Sequence, residues 1–187
     1  RFQELAYKQY KYKVTKNGPD EAQVVFETDI EGWLGAANSG IISNLISNLT
    51  LRRTVTLKTG QPFFRFDFEF INNDRWAKRP SFWVHNNSTV AKGKGKDTVV
   101  RPTDRGLSAI GGDQESYAGP RGLQFVSSFT HGWSAKLSKE RREGIVYLMD
   151  YDYVDKLYNC FPNHGSNGTA EWWYDSILVF KNRPWKG

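Results

Sequence analysis

The segment 51–70, LRRTVTLKTGQPFFRFDFEF, constrains the fold more than any other part of the chain. Its second half alternates phenylalanine with charged residues, and Thr59-Gly60-Gln61-Pro62 supplies turn residues before that half. Strict period two over this length predicts a half-buried β-strand, so the segment is expected to form an antiparallel hairpin. The row predicted to be buried is Phe64, Phe66, Phe68 and Phe70, and the row predicted on the opposite face is Arg65, Asp67 and Glu69.

The composition agrees with an all-β chain whose core is aromatic. Only 39% of the residues are hydrophobic, but 15% are aromatic, and each aromatic side chain buries a large area. Strand-like segments recur between turns rich in Gly and Pro, with almost no helical pattern. We predict an antiparallel β-sandwich or supersandwich, with a jelly roll as the nearest alternative. One domain is expected over residues 1–187, and whether it is a truncated piece of a longer protein stays open.

The net charge and the N-glycosylation sequons indicate possible binding partners and a cellular location. The net charge is +6, and the stretch Lys92–Lys96 contributes three of the positive charges. We expect an exposed, mobile loop there, the alternative being a contact with an anionic polymer. No apolar run approaches the roughly 18 residues of a membrane span. A secreted or cell-surface glycoprotein is predicted from four sequons, which begin at Asn48, Asn86, Asn87 and Asn167.

Several groups of polar and aromatic residues are candidates for a sugar-binding site. Aromatic rings stack on the apolar faces of sugars, while histidine, amide and charged groups bond the hydroxyls. The charged row of the hairpin would form the floor, with Trp83, His85 and Asn86 beside it. Trp76 and Arg79 would frame the mouth, and His131 with Trp133 would repeat the arrangement of tryptophan and histidine. The late segment adds Glu171, Trp173 and Asp175.

Metal and cofactor chemistry has little support in the sequence. Three histidines and one cysteine, with no close pair, argue against a zinc site. Cys160 alone excludes an internal disulfide framework. No phosphate-binding or dinucleotide-binding motif is present, so no cofactor is predicted. A Ca²⁺ site from loop acids such as Asp104 and Asp113 stays an open alternative.

The order of these segments resembles the galactose-mutarotase-like supersandwich domains of carbohydrate-active proteins. The resemblance covers about residues 51–185 and rests on the hairpin of 51–70, on WAKRPSFWVHNN, and on TAEWWYDSILVF near the end. It implies a supersandwich fold, with His85 as the general acid and Glu171 as the base acting on the anomeric hydroxyl of a sugar. The residues around Glu171 depart from the mutarotase pattern, so whether the chain is an epimerase, a lyase-associated or hydrolase-associated domain, or no enzyme at all stays open.

The sequence is compatible with three functions. The first is a domain of an extracellular protein that binds or processes a carbohydrate, a polysaccharide or an acidic polysaccharide. The second is a structural or assembly module of an extracellular polymer or surface layer, joined to its neighbours through edge strands. The third is nucleic-acid binding, which is disfavoured because the chain lacks an aromatic RNA-binding motif and a basic helix. The oligomeric state stays open.

Overall fold

The structure is a computed structural model, and it describes residues 5, 8–34, 41–88, 90, 97–111, 123–126, 129–160, 169–174 and 177–187. The chain divides into two compact units. The first unit comprises Arg1–Pro80 and Ile177–Gly187, and the second comprises Ser81–Ser176. The predicted loop Lys92–Lys96 lies outside the described residues.

The described residues form antiparallel strands joined by turns, with almost no helix, which confirms the predicted all-β fold. The strands, in chain order, are β1 (Lys11–Asn17), β2 (Glu21–Ile30), β3 (Trp33–Leu34), β4 (Ile41–Ile42), β5 (Leu49–Lys58), β6 (Phe64–Asn72), β7 (Phe82–Asn87), β8 (Thr98–Thr103), β9 (Gly106–Gly111), β10 (Leu123–Val126), β11 (Trp133–Ser138), β12 (Glu143–Leu148), β13 (Lys156–Cys160), β14 (Thr169–Tyr174) and β15 (Trp185–Lys186).

The first unit is built on a five-stranded sheet in the order β1-β2-β5-β6-β15, with β3 and β4 paired beside it in a small sheet of their own. The predicted hairpin is present as β5 and β6, with Leu57 opposite Phe64 and Leu51 opposite Phe70. Gly60 has φ +78° in the connecting turn, a conformation that glycine adopts without steric cost. Local alternation and turn chemistry therefore predicted this hairpin correctly.

The prediction that the whole phenylalanine row is buried was wrong. Phe70 is 1% exposed, but Phe66 is 46% exposed and Phe64 is 64% exposed. Phe70 packs against Trp185 of β15, which pairs with β6 at Glu69 and Phe70, and Gly187 exchanges backbone hydrogen bonds with Phe68. The part of β6 near the turn has no such neighbour among the described residues. Alternation predicts which side chains share a face, but it does not predict how far along the strand that face is covered.

The second unit contains two four-stranded sheets. One has the order β10-β13-β14-β7 and the other has the order β12-β11-β8-β9. Contacts join them: Tyr147 of β12 lies 6.2 Å from Trp172 of β14 between ring centroids. Val99, Ile110 and Leu157 are each 1% exposed and belong to the core of this unit. Two sheets facing each other across buried apolar side chains are a β-sandwich arrangement.

Candidate functional site

Strands β7 and β14 place the predicted acid and base side by side. Their antiparallel register pairs His85 with Glu171 and Trp83 with Trp173. Because alternate residues of a strand point to the same face, these four side chains share one face of the sheet. Thr169, two residues before Glu171, lies on that face as well. We call the side chains of Trp83, His85, Thr169, Glu171 and Trp173 the His85 face.

A histidine–carboxylate pair occupies one end of the His85 face. Nε2 of His85 lies 3.0 Å from Oε1 of Glu171, and the hydroxyl of Thr169 donates a hydrogen bond to the same carboxylate oxygen. The side chain of His85 is 54% exposed, whereas that of Glu171 is 2% exposed. The imidazole therefore meets solvent while the carboxylate lies beneath it.

An aromatic cluster occupies the other end of the same face. The rings of Trp83 and Trp173 stack at 4.9 Å with an interplanar angle of 24°. Tyr158 meets Trp83 edge-on at 6.2 Å, and the Nζ of Lys156 lies 4.8 Å from the ring centre of Trp173. Trp83 also lies 5.6 Å from the imidazole of His85 between ring centres, so the two ends of the face are continuous.

A buried lysine lies in the other sheet of the second unit. Lys136 of β11 is 1% exposed, and its Nζ donates a 2.7 Å hydrogen bond to the carbonyl of Ser88, which directly follows β7. Burial lowers the pKa of Lys136 to about 8, because the ammonium loses its water shell, and the Asp97 and Glu171 carboxylates oppose that shift. A positive charge thus acts on Glu171 from the neighbouring sheet.

The charged row of the hairpin belongs to the first unit and forms ion pairs there. Arg52 of β5 bridges Glu27 and Glu69, each at 2.5 Å, and Arg65 pairs with Asp67 at 2.7 Å. The row alternates against the phenylalanines, as predicted. Each charge of the row has an ion-pair partner within the first unit, which is the arrangement of a salt-bridge ladder on a sheet surface.

The remaining predicted residues are distributed over both units. Trp76 is exposed in the first unit with the Arg75 guanidinium 5.0 Å from its ring centre, and Arg79 is exposed nearby in sequence. In the second unit, Trp133 begins β11 and His131 precedes that strand, so both belong to the sheet that does not contain β7 and β14. Asn86 is paired with Ala170, so strand alternation places it on the face opposite His85. Asp175 lies outside the described residues.

Sequence reasoning missed Thr169, Lys156, Tyr158 and Lys136. Thr169 could have been found, because it precedes Glu171 by two residues and so shares its face on any strand. Lys156 and Tyr158 join the face through the register of β13 against β14, which the local pattern does not reveal. Lys136 reads as an ordinary polar strand position, and only the packing of the two sheets shows that it is buried.

The described residues offer no group of three or more His, Cys, Asp and Glu side chains that could hold a metal ion. Asp104 lies in an exposed turn between β8 and β9. Asp113, the other acid considered for Ca²⁺, falls outside the part of the chain that the structure describes. Within that part, no helix is long and apolar enough to cross a membrane.

A comparison with known proteins finds structures similar to this one, but it finds no matching sequence family. No protein-family model and no curated protein matches the sequence. The Slr1438 protein of Synechocystis sp. PCC 6803 matches with a TM-score of 0.64 and 12% identity over 94% of this chain. A TPR-domain containing protein from Parabacteroides distasonis ATCC 8503 matches with a TM-score of 0.64 and 9% identity over 95% of the chain. The chain spans 63% of the first of these proteins and 33% of the second.

A third structure is informative about the fold. A galactose mutarotase-like protein from Lactobacillus casei ATCC 334 matches with a TM-score of 0.58 and 12% identity, over 95% of this chain and 71% of that protein. At sequence identities this low, a structural match establishes the fold and no functional detail. The resemblance drawn from the sequence is thereby confirmed at the level of fold: the chain has an antiparallel β-sandwich fold like that of a galactose mutarotase-like protein.

Proposed function

We propose that the second unit binds a carbohydrate on the His85 face. The observation that carries the proposal is the adjacency of the stacked Trp83–Trp173 pair and the His85–Glu171 pair on one sheet. Indole rings offer apolar surface to the C–H groups of a sugar, and the imidazole offers a hydrogen-bonding group beside them. Rigid strands hold both, which is the usual basis of a preorganised site.

The fold shared with a galactose mutarotase-like protein is consistent with a sugar ligand, although fold alone does not assign function.

The experiment is a glycan array probed with the whole chain, with neutral and acidic polysaccharides represented. Binding of a defined set of glycans by the wild type, and its loss in a Trp83→Ala, His85→Ala double variant, is the expected result. Trp76→Ala is the control, because Trp76 is an exposed tryptophan that belongs to the first unit. Equal binding by the double variant would refute the proposed site. Incubating each bound glycan with the protein then tests for turnover.

An extracellular setting is a further proposal, and the sequon at Asn48 supports it. Asn48 is exposed, so a glycan could be attached without unfolding the chain. The amide nitrogen of Asn86 is buried, which disfavours glycosylation at that sequon in the folded state. Expression in a eukaryotic secretory host, followed by peptide mass analysis, should find a glycan on Asn48 and none on Asn86. An unmodified Asn48 would remove this support.

A structural or assembly module remains the second candidate, and one observation favours it. Phe64 and Phe66 are exposed on a stretch of β6 that has no strand neighbour on its outer side among the described residues. Exposed edges of this kind pair readily with other strands. Light scattering after size-exclusion chromatography tests it. A monomer at all concentrations would argue against this candidate, and concentration-dependent association that Phe66→Lys abolishes would support it.

A further inference from the structure

The side chains of His85 and Glu171 are in contact, but they differ in whether they can reach a ligand. The carboxylate is 2% exposed and the imidazole is 54% exposed. A base that acts directly on a sugar must come within about 3 Å of the hydroxyl whose proton it takes. The exposed imidazole satisfies that requirement, and the covered carboxylate does not.

The carboxylate of Glu171 is fixed in place by three charges or donors. Its Oε1 accepts a hydrogen bond from Thr169 and lies 3.0 Å from Nε2 of His85, and the buried ammonium of Lys136 acts on it electrostatically. A buried carboxylate requires such partners to remain ionised. These partners favour the ionised form of Glu171, whose Oε1 faces one particular ring nitrogen of His85.

The contact between Nε2 of His85 and Glu171 determines whether Nδ1 carries a proton. In a neutral imidazole one nitrogen carries the proton and the other carries a lone pair. A carboxylate at Nε2 selects the form with the proton on Nε2, which leaves the lone pair on Nδ1. Nδ1 has no hydrogen-bond partner among the described residues.

We infer that His85 meets the ligand through Nδ1, and that Glu171 and Thr169 are positioning residues that hold the imidazole by Nε2. The choice of ligand rests on the proposed function, whereas the state of the ring does not. Nδ1 accepts a hydrogen bond from a ligand hydroxyl. If the hydroxyl ionises, its O–H bond breaks, the electron pair stays on oxygen and the proton moves to Nδ1. The imidazolium so formed faces the Glu171 carboxylate, which stabilises its charge.

This arrangement differs from the one that the sequence resemblance implies. There His85 and Glu171 would each act on the sugar, one as acid and the other as base. Here one of the two side chains reaches the ligand and the other orients it. Thr169, which the sequence analysis did not single out, becomes part of the site.

The first arm of the test needs no ligand. Long-range proton–nitrogen correlation spectra of histidine-labelled protein distinguish a protonated ring nitrogen from an unprotonated one. For neutral His85 the expected result is a proton on Nε2, with a hydrogen-bonded, slowly exchanging Nε2–H resonance. A proton on Nδ1 in the wild type would overturn the inference whether or not any variant folds.

Variants add a second arm. Glu171→Gln should shift the slowly exchanging resonance, because a neutral amide oxygen replaces the carboxylate. Thr169→Val should shift it as well, and Thr169→Ser should give the wild-type signal because the hydroxyl is retained. A merely structural role would leave the ring resonances of folded variants unchanged, and that result would refute the positioning role. Circular dichroism identifies any variant that is unfolded, and the wild-type spectrum decides the question in that case.

The third arm uses a glycan that the array identifies. Glu171→Gln should weaken its binding by about tenfold, because the charge that holds the imidazole is lost, and His85→Ala should weaken it at least as much. Wild-type affinity in Glu171→Gln would overturn the inference while leaving the proposed function standing. If no glycan binds but the ring has the expected state, the proposed function fails and the positioning role stands.

Discussion

The indole rings of Trp83 and Trp173 stack at 4.9 Å on neighbouring strands of the second unit. Trp83 lies on β7 at one end of its sheet, so none of the sheet's other described strands flanks it on the outer side. It also touches His85 and Tyr158. We regard this residue as the centre of the sugar site, because it joins the aromatic end of the His85 face to the polar end.

Replacing Trp83 should therefore weaken sugar binding. Trp83→Ala is expected to cost about 1–2 kcal/mol of binding free energy, as for a central aromatic contact, and Trp83→Phe should recover part of it. Isothermal titration with an array-identified glycan measures the affinity. Thermal melting monitors folding, and an affinity unchanged in a folded Trp83→Ala variant would contradict the assignment.

Two phenylalanines of β6 should differ sharply in their contribution to stability. Phe70→Ala removes a ring that is 1% exposed and packed on Trp185, so it should lower the free energy of unfolding by about 3–5 kcal/mol. Phe66→Ala removes a ring that is 46% exposed, so about 1 kcal/mol is expected. Urea denaturation measures both values, and comparable losses would show that Phe66 is covered in solution.

Acid should weaken the first unit through Asp74. A hydrogen bond from Lys78, with further help from the backbone N–H of Arg75, lowers the pKa of Asp74 to about 2. Because the folded-state pKa lies below its usual value near 4, this contribution to stability is present above pH 4. It is lost as the pH falls towards 2.

Asp74→Asn should remove that part of the pH dependence. Urea unfolding between pH 5 and pH 2 should show a shallower decline for the variant than for the wild type. Lys78→Gln should flatten the curve in the same way, because it removes the main partner of the carboxylate. Parallel curves for the wild type and both variants would contradict the role of this pair.

Alkali should act on the second unit through Lys136. Its folded-state pKa of about 8 is lower than the usual value near 10.4, so the folded protein loses this proton before the unfolded chain does. The free energy of unfolding should consequently rise between pH 8 and about 9.5, by at most about 1.4 kcal/mol per pH unit. Lys136→Met should abolish the rise, and a rise that persists in the variant would assign it to another group.

The sequence predicted features that depend on neighbours along the chain. Alternation located β5 and β6 and separated the phenylalanines from Arg65, Asp67 and Glu69. It also placed Trp83 with His85 and Glu171 with Trp173, because residues two apart on a strand share a face. Each half of the His85 face was therefore visible before the fold was known.

Features that depend on strand register and on burial by other strands could not be predicted in the same way. The register that sets His85 opposite Glu171 joins strands far apart in the sequence, and local patterns carry no information about it. Exposure of Phe64 depends on which side chains cover its face of the sheet, and alternation in β6 does not encode that. The burial of Lys136 likewise depends on packing of one sheet against another.

The most direct test of the sugar site uses the indole N–H resonances of the protein's seven tryptophans. A titration of nitrogen-labelled protein with an array-identified glycan should shift the signals of Trp83 and Trp173, and the signal of Trp76 should stay in place. Assignment comes from single Trp→Phe variants. Shifts confined to Trp76, or unchanged Trp83 and Trp173 signals at a saturating concentration of a glycan that binds, would contradict a sugar site on the His85 face.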